Sequence, residues 1–189
     1  MDNLEYYVVY DTTTGDIRIR GSGPLGQAAI EAATNIVPPL AVVAVPYAAV
    51  SGEAFNLDVV KDSLCAQVDA EAEALRSRFA TPGSGQAMEY QEAVAQARAL
   101  VDGKPGPFAM LAADVAAGTI DARTGNAVAS DQEAADLILW MHAQWVAIGS
   151  AIREARLGAK AAVRAGTNIG QVVDATKVDW GGIVAGAMA

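Results

Sequence analysis

The chain has 189 residues, of which 52% are hydrophobic but only 6% aromatic, and 22 Asp and Glu outnumber 13 Lys and Arg. The net charge of −9 argues against a nucleic-acid-binding protein, which needs a basic surface to replace the counterions on phosphates. The single cysteine, Cys65, excludes an intrachain disulfide and is typical of a chain made in a reducing cytoplasm.

A β-hairpin is predicted over residues 4–20. The segment 6–10 is rich in aromatic and β-branched residues, which favour strands, and residues 11–15 have the composition of a turn. Residues 17–20 then alternate apolar and charged side chains, as in a strand with one buried face. The glycines and proline of residues 21–24 are expected to end that second strand.

The next elements are predicted to complete a small β-rich module of residues 1–60. A short helix is expected at residues 27–34 and a third strand at Leu40–Val45, stopped by Pro46. A last extended piece is expected around Phe55–Val59. We interpret the module as a docking unit.

Residues 61–189 are predicted to form a mainly helical region, because apolar residues recur there at three- and four-residue steps. Gly and Pro clusters, including one at residues 81–85, separate the runs. The fold class is therefore α+β, with a small N-terminal antiparallel module followed by helices. Helices are expected at about residues 61–80, 86–102, 107–117, 130–165 and 168–176.

The helix expected from Ser130 has the strongest pattern. Ser130 and Glu133 fit a capping box, in which each side chain accepts a free backbone N–H of the other residue. Apolar residues follow for about four heptads, which predicts a packed seam on a helix about 50 Å long. Thr167 is expected to cap the short helix after it. The seam is formed by Ala134, Leu137, Met141, Trp145, Ile148, Ile152, Ala155, Ala159 and Val163.

An interface with other chains is predicted on this helix and near the C-terminus. Leu139 and Trp140 add a second apolar patch beside the seam, so the helix is expected to contact more than one neighbour. The interface prediction comprises Leu137, Trp140, Met141, Trp145, Ile148, Ile152 and Trp180.

No catalytic, cofactor-binding or metal-binding residue is predicted, and the chain is interpreted as a non-enzyme. The only histidine, His142, and the only cysteine, Cys65, are too few for a zinc site or a well-supported Cys–His nucleophile. The glycines of residues 21–26 lack the Gly-Lys-Ser/Thr of a phosphate loop. A pair of carboxylates acting as in a glycosidase remains an open alternative.

No membrane span or secretory leader is expected. The first five residues lack the basic and then apolar pattern of a signal peptide. The longest apolar stretch, residues 36–50, contains three prolines and is shorter than the roughly 18 residues that a span requires.

Three stretches carry a resemblance to a known family. Residues 7–17 look like an opening strand, turn and strand, and residues 70–90 contain an Arg-rich helix end followed by Pro-Gly-Ser-Gly-Gln and a tyrosine. Residues 152–180 look like a C-terminal helix, a short helix and a closing tryptophan. In these stretches the chain resembles the small accessory proteins encoded near the tail-fibre genes of tailed bacteriophages, including tail-fibre-assembly-like proteins.

The resemblance implies a structural protein of the virion, in the tail or baseplate, assembled in the bacterial host cytoplasm. Its implied partners are other tail, baseplate or fibre proteins, and a homo-oligomer within an assembly is expected. An alternative is a chaperone that helps fibres to fold and does not remain in the virion. A third hypothesis, from another class, is a hydrolase of glycans or cell wall.

Overall fold

The computed structural model describes residues 4–79 and 84–187, which form an α+β fold as the sequence predicts. The strands are β1 (Leu4–Asp11), β2 (Ile17–Pro24) and β3 (Leu40–Val45). The helices are α1 (Gln27–Thr34), α2 (Tyr47–Val50), α3 (Leu57–Arg76), α4 (Ser84–Val101), α5 (Ala109–Ala117), α6 (Asp131–Ala165), α7 (Ile169–Asp174) and α8 (Trp180–Ala187).

The three strands form an antiparallel sheet in the order β2-β1-β3. The predicted hairpin and third strand are confirmed, but the predicted break at residue 21 is wrong, because β2 continues to Pro24 opposite Leu4. The aromatic ring of Tyr7 lies over Gly21, where a Cβ would overlap it. The glycine therefore permits a close cross-strand approach and does not end the strand.

The extended piece predicted at residues 55–59 is also wrong, because α3 begins at Leu57. The side-chain oxygen of Asn56 accepts the backbone N–H groups of Asp58 and Val59 at 3.1 and 3.3 Å. Asparagine is among the best residues for satisfying the free N–H groups at a helix start. The apolar residues after it therefore join the helix.

The remaining predicted helices are present with shifted ends. Gly118 ends α5 in the left-handed conformation, at φ 65°. The expected cap at Thr167 is wrong, since Asn168 accepts the N–H of Gln171 at 2.9 Å. Helices α2 and α8 were not predicted, and residues 81–83 of the predicted turn lie outside the described residues.

The chain divides into two compact units. The first comprises Met1–Glu73 and Arg153–Trp180. Its core lies on one face of the sheet, where Val8 and Val45 meet residues of α3, the end of α6, and α7. The buried residues of this core are Val8, Tyr10, Val45, Ala49, Val60, Leu64, Cys65, Val163, Ile169 and Val172.

The second unit comprises Ala74–Ile152 and Gly181–Ala189. Its core joins α4, α5 and the first part of α6, and an isolated bridge between Ile120 and Ala127 closes the loop before α6. The buried residues are Val94, Ala97, Leu111, Val128, Ala134, Ala135, Leu137 and Ile138. The predicted division into a β-rich docking module of residues 1–60 and a helical region of residues 61–189 stays a prediction.

Candidate partner interface

Helix α6 exposes four apolar side chains within seven residues of the second unit. Trp140 and Met141 are each 38% exposed, Trp145 is 47% exposed and Val146 is 43% exposed. We call these four residues the α6 surface. Single exposed apolar residues are ordinary, but a group that includes two tryptophans is the composition of a protein–protein contact.

The start of α6 is held by hydrogen bonds at its first turn. The Ser130 hydroxyl oxygen accepts the N–H of Glu133 at 3.2 Å, as the capping-box pattern predicts. The Glu133 carboxylate accepts the N–H of Ala129 at 2.8 Å. The predicted bond to the N–H of Ser130, the next residue, is therefore wrong. The turn before the α6 surface is thereby stabilised.

Met141 and Trp145 lie on the face of α6 that is buried on either side of them. Residues 137, 141, 145 and 148 are spaced by three or four positions, which places them on one side of a helix. Leu137 is 3% exposed and Ile148 is 5% exposed. The apolar stripe is therefore exposed at Met141 and Trp145 and buried again at Ile148, one turn later.

The indole of Trp140 is contacted by a fixed guanidinium group. The Arg123 Cζ lies 5.5 Å from the centroid of the indole ring, within the range of a cation–π contact. The Asp121 carboxylate accepts three hydrogen bonds from the Arg123 guanidinium, from Nε to Oδ1 at 2.9 Å and to Oδ2 at 3.1 Å, and from Nη2 to Oδ2 at 2.6 Å. The hydrogen bond from Arg123 lowers the pKa of the Asp121 carboxyl below its usual range. Trp140 and Arg123 are therefore held in place before any partner binds.

His142, between the exposed residues of α6, contacts α4. The Arg98 Nη2 lies 3.0 Å from the imidazole Nε2, and the ring centroids of His142 and Tyr90 are 6.1 Å apart. A guanidinium can only donate, so Nε2 is the acceptor in this contact. Nδ1 is buried without a hydrogen-bond partner in the described part of the chain. These contacts give His142 a packing role.

The other residues of the predicted interface are more enclosed. Leu137, Ile148 and Ile152 are buried, so each packs inside the folded chain. Trp180 in the first unit is half-buried, and its indole N–H donates to the Glu71 carboxylate at 2.9 Å. Of the seven residues predicted, Trp140, Met141 and Trp145 have the greatest exposure, and the interface itself stays a prediction.

An ion cluster in the first unit was missed by the sequence analysis. The Asp69 carboxylate pairs with Arg156, at 2.7 Å from Nη1, and with the Lys160 ammonium. The hydrogen bond from Lys160 lowers the pKa of Asp69, and Arg156 adds to the effect. The four-residue spacing of Arg156 and Lys160 was visible, but their partner lies 87 and 91 residues away.

Neither a metal centre nor a membrane span is found in the described ranges 4–79 and 84–187. There, no group of three or more His, Cys, Asp or Glu side chains is arranged to hold a metal ion. Cys65 is buried in the core of the first unit, with its Sγ 4.0 Å from the Lys160 carbonyl oxygen. None of the helices described is both long and apolar enough to cross a bilayer.

No protein-family model, curated protein sequence or solved structure matches this chain.

Proposed function

We propose that this chain is a structural protein of a bacteriophage tail or baseplate and that the α6 surface binds another tail, baseplate or fibre protein. The observation that carries the proposal is the exposure of Trp140, Met141 and Trp145 on a helix whose first turn is stabilised by hydrogen bonds. The resemblance of residues 7–17, 70–90 and 152–180 to phage tail accessory proteins supports the place of action. The proposal assigns no catalytic residue.

The chemistry of the α6 surface supports a protein partner. Tryptophan, arginine and methionine are enriched where proteins meet, and large binding energies concentrate in tryptophan and arginine. Arg123 is already oriented by Asp121 and lies against Trp140, so little side-chain freedom is lost when a partner packs there. Trp145 and Met141 provide apolar area beside this pair.

Site-directed photo-crosslinking tests the surface and the partner together. p-Benzoylphenylalanine is placed at position 145 during growth of the phage that encodes the chain, and the crosslinked product is identified by mass spectrometry. We expect crosslinks to a tail, baseplate or fibre protein. The matched control carries the same group at Met88, which is 72% exposed in the same unit, and should give no such product.

Mass spectrometry of purified virions tests the structural role. The chain should be present in mature particles, and the double variant Met141→Ala with Trp145→Ala should be depleted from them. Absence of the parent chain from particles overturns the structural role. If its co-expression also raises the yield of soluble fibre protein, the chaperone alternative replaces it.

A further inference from the structure

The two edges of the sheet in the first unit differ in charge. β2 forms one edge and carries Arg18 and Arg20, whereas β3 forms the other and has no charged side chain. The whole segment 32–52 around β3 is uncharged. Native proteins commonly protect edge strands from pairing with charged residues, and β3 lacks that protection.

The backbone register shows which groups of β3 face outward. Thr12 donates its N–H to the Pro39 carbonyl oxygen at 2.7 Å, which continues the register in which Leu40 lies opposite Asp11. Pro39 is therefore at a hydrogen-bonded position of the ladder. Bonded and non-bonded positions alternate in an antiparallel ladder, so odd-numbered residues of β3 bond to β1. The backbone groups of Leu40, Val42 and Ala44 therefore point to the open edge.

The open edge retains both donors and acceptors. Leu40 already donates its N–H to the Val37 carbonyl oxygen at 2.9 Å. The N–H groups of Val42 and Ala44 and the carbonyl oxygens of all three residues remain at the edge. Within residues 4–79 and 84–187, no other strand pairs with this side of β3.

The residues at this edge are arranged symmetrically about Val42. In the sequence, Pro38 and Pro46 lie four positions before and after it. Pro38 belongs to the turn of residues 37–40 that leads into the strand, Pro46 follows the strand, and neither has an N–H to leave unpaired. Two large exposed apolar residues, Val37 and Tyr47, lie five positions before and after it. They are 70% and 60% exposed.

We propose that β3 pairs with β3 of a second copy of this chain, antiparallel about a two-fold axis at Val42, to give a continuous six-stranded sheet. Val42 of each copy donates to the Val42 carbonyl of the other. Ala44 of each copy donates to the Leu40 carbonyl of the other. The pairing ends at the turn that contains Pro38 in one copy and at Pro46 in the other, and neither proline has an N–H to leave unpaired.

The symmetry of the edge favours a second copy over a different extended chain. A two-fold interface requires that one surface complement itself, and the outward positions of β3 meet that condition when the axis lies at Val42. The same register brings the turn after Val37 of one copy to the end of the strand pair where α2 of the other begins with Tyr47, so these two exposed apolar residues lie at the same end of the pair. Without charges, the edge has no means of selecting an oppositely charged partner.

Light scattering coupled to size-exclusion chromatography of the full chain tests the association. The parent should be a dimer whose dissociation on dilution can be followed. Ala44→Pro removes an outward N–H that the β1 ladder does not use, and Ala44→Lys adds a charge at an exposed edge position. Each variant should raise the dissociation constant by about tenfold or more.

The matched control is Ser22→Lys, which adds the same charge at an exposed position of the opposite edge strand and should leave the dimer intact. Circular dichroism and thermal unfolding show whether each variant is folded. A monomeric parent, or a dimer that both Ala44 variants leave unchanged, overturns the proposal. Association that appears only when an extended peptide from another protein is added also overturns it.

Disulfide trapping tests the register independently of stability. In a Cys65→Ala background, Val42→Cys should give a crosslinked dimer on oxidation, because bonded antiparallel pairs have Cα atoms about 5.5 Å apart. Ala44→Cys is the matched control, because its two copies would be about 14 Å apart and should not crosslink. Crosslinking at position 44 but not at position 42 would overturn the register. The inference is independent of the α6 surface, since neither experiment uses a tail protein.

Discussion

Leu137 and Met141 lie one turn apart on the same face of α6, yet the first is buried and the second is exposed. Leu137 packs with residues of α4 and α5 in the core of the second unit. Met141 and Trp145 continue the same apolar stripe without that cover, and the stripe is buried again at Ile148. A helical period thus identifies which residues share a face, whereas neighbouring elements decide which of them are enclosed.

The largest effect is expected when a charge is placed at a buried position of this stripe, and the comparison is the same charge at an exposed position. Ile148→Asp should lower the free energy of unfolding by several kcal/mol, on the order of 3–5, because the carboxylate would be buried without a partner. Met141→Asp, on the same face, should cost less than about 1 kcal/mol because its carboxylate stays hydrated. Urea unfolding monitored by circular dichroism measures both. Equal losses in the free energy of unfolding would show that Ile148 and Met141 are buried to the same extent.

Truncation sharpens the same comparison without adding charge. Leu137→Ala should cost about 2–5 kcal/mol, since it leaves a cavity beside Leu111 and the other buried residues of that core. Trp145→Ala removes a larger side chain but should cost about 1 kcal/mol or less, because 47% of its surface is already exposed to water. Denaturant midpoints of the two variants at one pH provide the measurement. A greater loss for Trp145→Ala would place its indole in a core.

The first turn of α6 allows a smaller test of what holds the α6 surface in position. Ser130→Ala removes the acceptor for the Glu133 N–H and should lower the free energy of unfolding by about 1 kcal/mol. Ser130→Asp is the matched control, because aspartate caps helices as well as serine does. Thermal unfolding distinguishes the two. A destabilised aspartate variant would mean that the hydroxyl acts through some other contact.

The smallest effect is expected at Asp121, which orients Arg123 against the indole of Trp140. The pKa of Asp121 is lowered in the folded chain, so its ion pair with Arg123 stabilises the fold above the unfolded-state pKa of about 3.9. That stabilisation is lost as the pH falls through the lower, folded-state pKa. Asp121→Asn should therefore be less stable than the parent at pH 7, with the difference shrinking in acid.

Unfolding midpoints measured from neutral to acidic pH follow this difference. Asp102→Asn is the control, because that carboxylate lies 3.6 Å from the Lys104 ammonium and both side chains are more than half exposed. It should change stability little at any pH. A pH-independent loss in Asp121→Asn would indicate a role for Asp121 other than its charge. The loop hydrogen bond from the Arg123 N–H to Asp121, at 2.8 Å, is the first to consider.

Local patterns in the sequence were sufficient for most elements. The hairpin, β3 and the six predicted helices follow from alternation, helical spacing and turn residues, since neighbours along the chain determine these features. The errors have local causes as well. Gly21 extends a strand because Tyr7 lies over it, and Asn56 starts a helix where an extended piece was expected.

Contacts between distant residues could not be predicted in this way. Arg123 is oriented by Asp121, which is near in sequence, but its position against Trp140 depends on how the loop before α6 returns to that helix. The bonds from Arg156 and Lys160 to Asp69 depend on the alignment of α6 with α3 inside the first unit. Neither arrangement produces a periodic pattern in the sequence, so neither could be predicted from it.

The sequence by itself determined most of the secondary structure, the acidic charge and the apolar stripe of α6, because each depends on composition or on spacing along the chain. Only the tertiary structure decided that Leu137 and Ile148 are covered while Met141 and Trp145 are not. It also decided that β3, and not β2, is the uncharged open edge of the sheet. The physical reason is that burial and strand order depend on which elements pack together, and that choice balances contacts from the whole chain.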